Sequence, residues 1–218
     1  MKNLFFDFDG TIADTQVGIV RAIKYFVKKM NLRPLSEEQY ISFIGPALLR
    51  SIPKFYPELS EKEIFKALDF YHEYYQNQGV FQLKIFPGLL NELSLLKNNG
   101  YNLYVASAKP EIMVKKIANH FDLNKYFDGL YGASADEKTR ITKTAILKYA
   151  MDSTHSLKEN SVMIGDRQTD IDGGKNNDVK TIAVTYGFGP LKEIKDSDPD
   201  IIIDKPEEIL DAIQKISN

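Results

Sequence analysis

Two hydrophobic rhythms alternate along the chain. Leu4-Phe5-Phe6 is a short apolar run broken by Asp7-Phe8-Asp9-Gly10-Thr11, which predicts a buried strand followed by a glycine-containing turn. From residue 14 to about 29 the spacing changes to three and four. Val17, Val20, Ile23 and Phe26-Val27 then share one stripe, the signature of a helix. Ser36-Glu37-Glu38-Gln39 reads as a helix start with Ser36 as N-cap, and Ser60-Glu61-Lys62-Glu63 as a capping box opening a helix to about residue 76. Between about 17 and 82 the patterns are helical and no strand is expected.

The rhythm switches again at Phe86-Pro87-Gly88. A helix over 89–97 is stopped by Asn98-Asn99-Gly100, residues that accept the left-handed conformation at a helix end. A β-rich run over 101–106 stops at Ser107-Ala108-Lys109-Pro110, and helices follow over 111–121 and 141–151, with a short strand near 129–132 between them. Apolar strands are predicted at 161–164, 180–185 and 201–203, and Pro206 opens a last helix to 216. Strands alternating with helices at this spacing give an α/β fold, a parallel sheet with helices on both faces. Such sheets bind ligands beyond the carboxyl ends of their strands. The polar clusters after Phe6, Ala106 and Ile164 fall there.

Composition narrows the function classes. Hydrophobic residues make up 43% and charged residues 27%, enough for a globular core, and the net charge of −2 provides no global attraction for a nucleic acid polymer or an anionic membrane. Lys28-Lys29 and Lys115-Lys116 sit inside helical patterns and read as solvated helix faces. The absence of cysteine excludes disulfides, thiolate nucleophiles and zinc–thiolate centres. No apolar stretch is long enough to cross a bilayer and the start lacks a signal-peptide pattern, so a soluble, cytoplasmic protein is expected.

The candidate chemistry lies in spaced carboxylates. Asp7 and Asp9 flank Phe8 at a strand end, and two acids that close repel unless a cation or proton lies between them. A surface turn is the plainer reading of this motif alone. Ile164-Gly165-Asp166-Arg167-Gln168-Thr169-Asp170 repeats the arrangement on another strand, however, and two acid-bearing strand ends in one sheet offer oxygen ligands for magnesium. Ser107 follows a third strand. Taken singly, Ser107 reads as a cap or turn residue, and Lys109 and Lys143 as solvated lysines.

Together these elements resemble the haloacid dehalogenase superfamily, over nearly the whole chain and in the family's order. Asp7-Phe8-Asp9-Gly10-Thr11 matches the first motif, Ser107 the second, Lys143 the third, and Gly165-Asp166 with Asp170 the fourth. Phe43-Ile44-Gly45-Pro46, Phe86-Pro87-Gly88, Ser107-Ala108-Lys109-Pro110 and Gly165-Asp166-Arg167 are similar to the phosphoglycolate-phosphatase-like branch. The resemblance implies a Rossmann-like catalytic core over 1–14 and 85–218, and a helical cap over 15–84 with hinges near 14–16 and 83–85. It implies a Mg2+-dependent phosphatase acting on a small phosphorylated metabolite, as a monomer or homodimer. Asp7 would be the nucleophile, Asp9 the general acid and base, and Lys143 the charge partner of Asp7. Asp7, the Asp9 carbonyl, Asp166 and Asp170 would serve the metal, and Thr11, Ser107, Ala108 and Lys109 the phosphate. Arg50, in the cap, is a candidate contact to the leaving group. Dehalogenase relatives lack an acid where Asp9 stands, so phosphoester chemistry is favoured. A sugar phosphomutase and a 5'-nucleotidase are the alternatives on this scaffold. Mutase relatives tend to place a second acid before the metal-binding aspartate, where this chain has Gly165. A non-enzymatic binding protein would be expected to have lost one of the motif residues, and none is lost.

Overall fold

The computed structural model describes residues 2–136 and 138–217. The chain opens with β1 (Asn3–Phe6) and β2 (Ala13–Asp14), then four helices, α1 (Gln16–Lys29), α2 (Glu37–Ile41), α3 (Leu48–Phe55) and α4 (Glu61–Asn77). It continues through β3 (Lys84–Ile85), α5 (Leu89–Asn98), β4 (Asn102–Pro110), α6 (Glu111–His120), β5 (Gly129–Ala133) and α7 (Lys143–Thr154). The last elements are β6 (Ser161–Gly165), α8 (Gln168–Lys175), β7 (Lys180–Val184), α9 (Leu191–Asp196), β8 (Ile201–Ile203) and α10 (Ile209–Ser217). Two compact units result: Met1–Asp14 with Ile85–Asn218, and Thr15–Lys84.

The larger unit is built on a six-stranded sheet in the order β5-β4-β1-β6-β7-β8. Its pairings are all parallel. β1 lies between β4 and β6, with Phe6 opposite Val105 on one side and Ile164 on the other. A strand covered on both faces has no use for alternation, which is why β1 and β6 read as continuous apolar runs. Leu4, Phe5 and Phe6 have no exposed surface. Phe5 stacks on Tyr104 at 5.1 Å between ring centroids and packs with Ile146, Leu147, Ala150 and Met163. Each such buried side chain contributes about 2–3 kcal/mol by its removal from water.

β4 runs on to Pro110 where the pattern predicts an end at Ala106. Its pairing with β5 continues, with an irregularity between Ser107 and Pro110. A bulge of this kind re-aims side chains at a sheet edge, and Ser107 and Lys109, two residues apart, are both buried there. α8 and α9 are absent from the sequence reading. Gly173 and Gly174 blur the stripe in α8 and α9 is only six residues long.

The smaller unit holds α1 to α4. Ser36 and Ser60 each close a capping box, with Gln39 and Glu63. Gly18 donates its N–H to the Gln82 carbonyl at 3.1 Å, and any side chain at Gly18 would overlap the Gly79 backbone. The aromatic residues mainly pack this unit: Tyr56, Tyr71 and Tyr75 are buried and Phe43 stacks on Phe55 at 4.9 Å, whereas Phe65 is exposed. Among the described residues, no helix is long and apolar enough to cross a membrane.

Candidate active site

The carboxyl ends of β4, β1, β6 and β7, four neighbours in the sheet, bring the polar residues together. Asp7 is the first residue past β1, and its N–H still reaches the Ile164 carbonyl at 2.9 Å, so the sheet ladder fixes its backbone. Its Oδ1 accepts the Phe8 N–H at 2.7 Å. The turn beyond it is tied by the N–H groups of Ile12 and Ala13, both donating to the Phe8 carbonyl at 3.0 Å. Gly10 in that turn has φ +84°, and a Cβ there would overlap the Asp166 carboxylate. Glycine is needed on both counts.

Lys143 is the first residue of α7, behind the N-cap Thr142. A cation at a helix N-terminus opposes the helix dipole, so the position needs another source of stabilisation. Three acceptors supply it: Asp7 Oδ1 at 2.7 Å, Asp170 Oδ1 at 2.8 Å and the Ala106 carbonyl at 3.2 Å. The first two are ion pairs and the third a hydrogen bond. Burial pulls the lysine's pKa down, but Asp170 and Asp7 outweigh it and hold the group above its ordinary range. A solvated lysine, the plain reading of residue 143 in isolation, is not what the structure shows.

Asp166 and Asp170 stand at the end of β6 and in the first turn of α8, and neither is exposed. Burial raises the pKa of both, and neighbouring carboxylates raise it further, Asp170 and Asp7 acting on Asp166 and Asp7 acting on Asp170. Asp170 Oδ2 accepts the Arg167 N–H at 3.0 Å, which fixes it at the helix start. One carboxylate oxygen each from Asp7, Asp166 and Asp170 lies within 4.8 Å of the others. An all-oxygen, buried, anionic set with no nitrogen or sulfur donor fits a hard divalent cation.

Asp9 belongs to a second pair. Its Oδ2 lies 3.0 Å from Lys109 Nζ, with both side chains nearly buried. Among the described residues its Oδ1 is buried without a hydrogen-bond partner. The Lys109 N–H donates to Ser107 Oγ at 3.3 Å, with half-buried Ala108 between them. The Thr11 hydroxyl lies 3.4 Å from Asp166 Oδ1. Asp7, Asp9, Thr11, Ser107, Lys109, Lys143, Asp166 and Asp170 are therefore gathered at one sheet edge. Arg50 is exposed on α3, in the other unit.

One contributor escaped the sequence reading. The loop after β7 donates two N–H groups to Asp166 Oδ2, from Phe188 at 2.7 Å and Gly189 at 3.2 Å. The signal that was available is Gly187-Phe188-Gly189 directly after an apolar strand, which allows a close backbone approach.

A sheet of this order, carrying acids at adjacent strand ends with a helix-borne lysine between them, defines a class, and the sequence comparisons name it. Residues 4–184 match the family described as haloacid dehalogenase-like hydrolase, and the chain belongs to that family. Within it, this is an enzyme of the phosphatase kind, similar to phosphoglycolate phosphatases. It is 32% identical over 197 residues to a 5'-nucleotidase of Pseudomonas aeruginosa, covering 90% of this chain and 88% of that one. It is 26% identical over 210 residues to a phosphoglycolate phosphatase of Aquifex aeolicus, covering 96% and 95%. A solved structure from Clostridium acetobutylicum, described as a predicted phosphatase, superposes with a TM-score of 0.93 at 34% identity, covering 98% of each chain.

Proposed function

We propose that this chain is a magnesium-dependent phosphatase of small phosphomonoesters in which Asp7 is the nucleophile and Asp9 the general acid and base. The observation that carries the reading is the pairing of three carboxylates with two buried lysines, beside a fourth carboxylate, Asp166. Asp7 and Asp170 share Lys143, and Asp9 is held by Lys109. Asp7, the Asp9 carbonyl and Asp166 would hold the cation, with Asp170 supporting that shell. Bound magnesium supplies positive charge to the phosphoryl oxygens.

The chain's own residues divide the remaining work. Asp7 Oδ1 is occupied by Lys143 and the Phe8 amide, which leaves Oδ2 to form a bond to phosphorus. The ester P–O bond breaks as Asp9 gives its proton to the leaving oxygen. An aspartyl phosphate is left on Asp7. Water then attacks phosphorus, Asp9 takes its proton, and the bond between Asp7 and phosphorus breaks to release phosphate. One group serves both steps because the second is the protonic reverse of the first. Lys143 offsets charge on Asp7 and on the phosphoryl group, while Thr11, Ser107, Lys109 and the backbone at Ala108 orient the phosphoryl oxygens. The helical unit over 15–84 is the proposed cap domain, with Arg50 on its α3 the candidate specificity residue.

Phosphoglycolate-type substrates are the leading reading. A nucleoside monophosphate is the second, supported by the 32% identity to a 5'-nucleotidase over nine-tenths of the chain. Phosphate release from a panel of phosphoglycolate, nucleoside monophosphates, sugar phosphates and pyrophosphate, with magnesium, ranks them by kcat/KM. Absence of release from every member and from a generic aryl phosphate would overturn the proposal. Isomerisation of a sugar phosphate without release would replace it by a mutase.

A further inference from the structure

The carboxylates of the site are not held alike. Asp7 and Asp170 touch the Lys143 ammonium and Asp9 touches that of Lys109. The hydrogen-bond partners of Asp166 are uncharged: the N–H groups of Phe188 and Gly189 on Oδ2, and the Thr11 hydroxyl on Oδ1. The two amides come from a single loop, residues 185–189, that closes over Asp166 from the β7 side. We infer that this loop is a positioning clamp for the metal site. It saturates Oδ2 of Asp166 and thereby presents Oδ1 to the divalent cation in one orientation. The inference deepens the proposed function, resting on its assignment of Asp166 as a metal ligand.

Three observations fix the clamp in place. At its start, the Thr185 N–H continues the sheet ladder to the Ile203 carbonyl at 3.0 Å. In its middle, the Tyr186 hydroxyl donates to the Thr11 carbonyl at 3.2 Å, which ties the loop to the turn carrying Asp9 and Gly10. The Tyr186 ring stands edge-on to Phe86 at 4.9 Å, so its hydroxyl is aimed by packing. At its end, the approach is as close as backbone allows. A Cβ on Gly187 would overlap the Gly10 carbonyl and the Asp166 side chain, and one on Gly189 would overlap the Asp166 carbonyl. Two glycines flanking Phe188 let its amide come within hydrogen-bonding distance of Oδ2. Outer hydrogen bonds of this sort orient a ligand and are typically worth about 10–100-fold in metal affinity. Gly187, Phe188 and Gly189 are therefore positioning residues, and Tyr186 locks them.

The test measures metal binding without substrate. Isothermal titration with magnesium chloride alone is run on the wild type, Asp166→Asn, Gly187→Ala and Tyr186→Phe, with melting temperatures in EDTA alongside. The expected result is a magnesium Kd raised about 10-fold or more in Gly187→Ala, and about 3- to 10-fold in Tyr186→Phe. The magnesium concentration for half-maximal activity should rise in the same order. If Gly187→Ala does not fold, Tyr186→Phe decides, since it removes one hydroxyl and adds no atom. Folded variants that bind magnesium as the wild type does, with or without a change in melting temperature, overturn the clamp while leaving Asp166 a ligand. A wild type and Asp166→Asn with the same magnesium affinity, or a wild type that binds none, overturn the underlying assignment instead.

Discussion

Replacing Lys143 by methionine removes a charge that the site is built around. The ammonium sits 2.7 Å from Asp7 Oδ1 and 2.8 Å from Asp170 Oδ1. At those separations and an effective dielectric of about 20, each attraction is worth about 6 kcal/mol before the desolvation of three buried charges is subtracted. Desolvation absorbs most of that sum, and removing one partner of such a buried set leaves a net loss of about 3–5 kcal/mol. The carboxylates left behind respond by holding protons. Burial, opposed by Lys143 itself, already raises the Asp170 carboxyl. Without the lysine, the native state binds protons that the unfolded chain has released, so stability falls as pH rises above the ordinary aspartate range. Urea unfolding in EDTA should therefore show Lys143→Met about 3–5 kcal/mol less stable near pH 8 and distinctly less affected near pH 5. Phosphate release at saturating magnesium should fall about 10²–10³-fold in kcat. A variant within 1 kcal/mol of the wild type at pH 8, or a loss independent of pH, would refute the view of Lys143 as counter-charge.

Asp7→Asn should abolish turnover, whereas Asp9→Asn should lose about 10²–10⁴-fold and retain slow formation of the phosphorylated enzyme; near-normal, equal activities would contradict the two roles. EDTA should inactivate the enzyme and magnesium restore it, with a melting temperature that rises on magnesium addition; activity that survives exhaustive chelation would remove the metal from the scheme. Glu92→Gln should be more stable than the wild type near pH 8 and indistinguishable near pH 4. Glu92 Oε1 accepts the Leu210 N–H at 2.8 Å, a bond glutamine keeps, and burial raises the carboxyl's pKa. The native state thus keeps its proton where the unfolded chain has lost it, and stability drains away as pH rises from the unfolded value through the native one. Thermal melts at the two pH values check the sign, and a stabilisation as large at pH 4 as at pH 8 would contradict it.

The sheet was legible because its central strands are buried on both faces and therefore spell their position in apolar runs, as Leu4-Phe5-Phe6 and Val162-Met163-Ile164 do. The helix starts at Ser36 and Ser60 were legible because a capping box is local chemistry, four residues long. The end of β4 was not. Ser107-Ala108-Lys109-Pro110 has the composition of a turn, and only the partner strand β5 keeps it in the sheet. Among the site residues, the acids announce themselves by spacing at strand ends. Lys143 does not, because a lysine at a helix start becomes informative only when the carboxylates it meets, 136 residues earlier in the case of Asp7, are known to be there. The amides of Phe188 and Gly189 were hidden for a further reason: backbone donors have no letter in the sequence.

Charge accounting links these points. Each acid at the site except Asp166 has a lysine in contact, and both lysines are too deeply buried to be exchanged for solvent. The fold thus pairs Asp7, Asp9 and Asp170 with lysines and, among the described residues, gives Asp166 uncharged hydrogen-bond donors. An ionised carboxylate at zero exposure is costly, and burial with the neighbouring Asp170 and Asp7 carboxylates raises the Asp166 pKa, against the Phe188 amide and the Arg167 charge, which lower it. Under the proposed function the cost is removed when a divalent cation binds, so part of the folding energy withheld at Asp166 is returned as metal affinity. Lysines at 109 and 143, in turn, keep Asp9 and Asp7 from competing for the cation with all four of their oxygens. Under the proposed roles, the same arrangement would let two acids two residues apart perform different chemistry. Asp7 faces the lysine of α7 and the carboxylates of Asp166 and Asp170, and Asp9 faces the lysine of the β4 bulge, so the polarity of each is set by the strand end it meets rather than by its own sequence context.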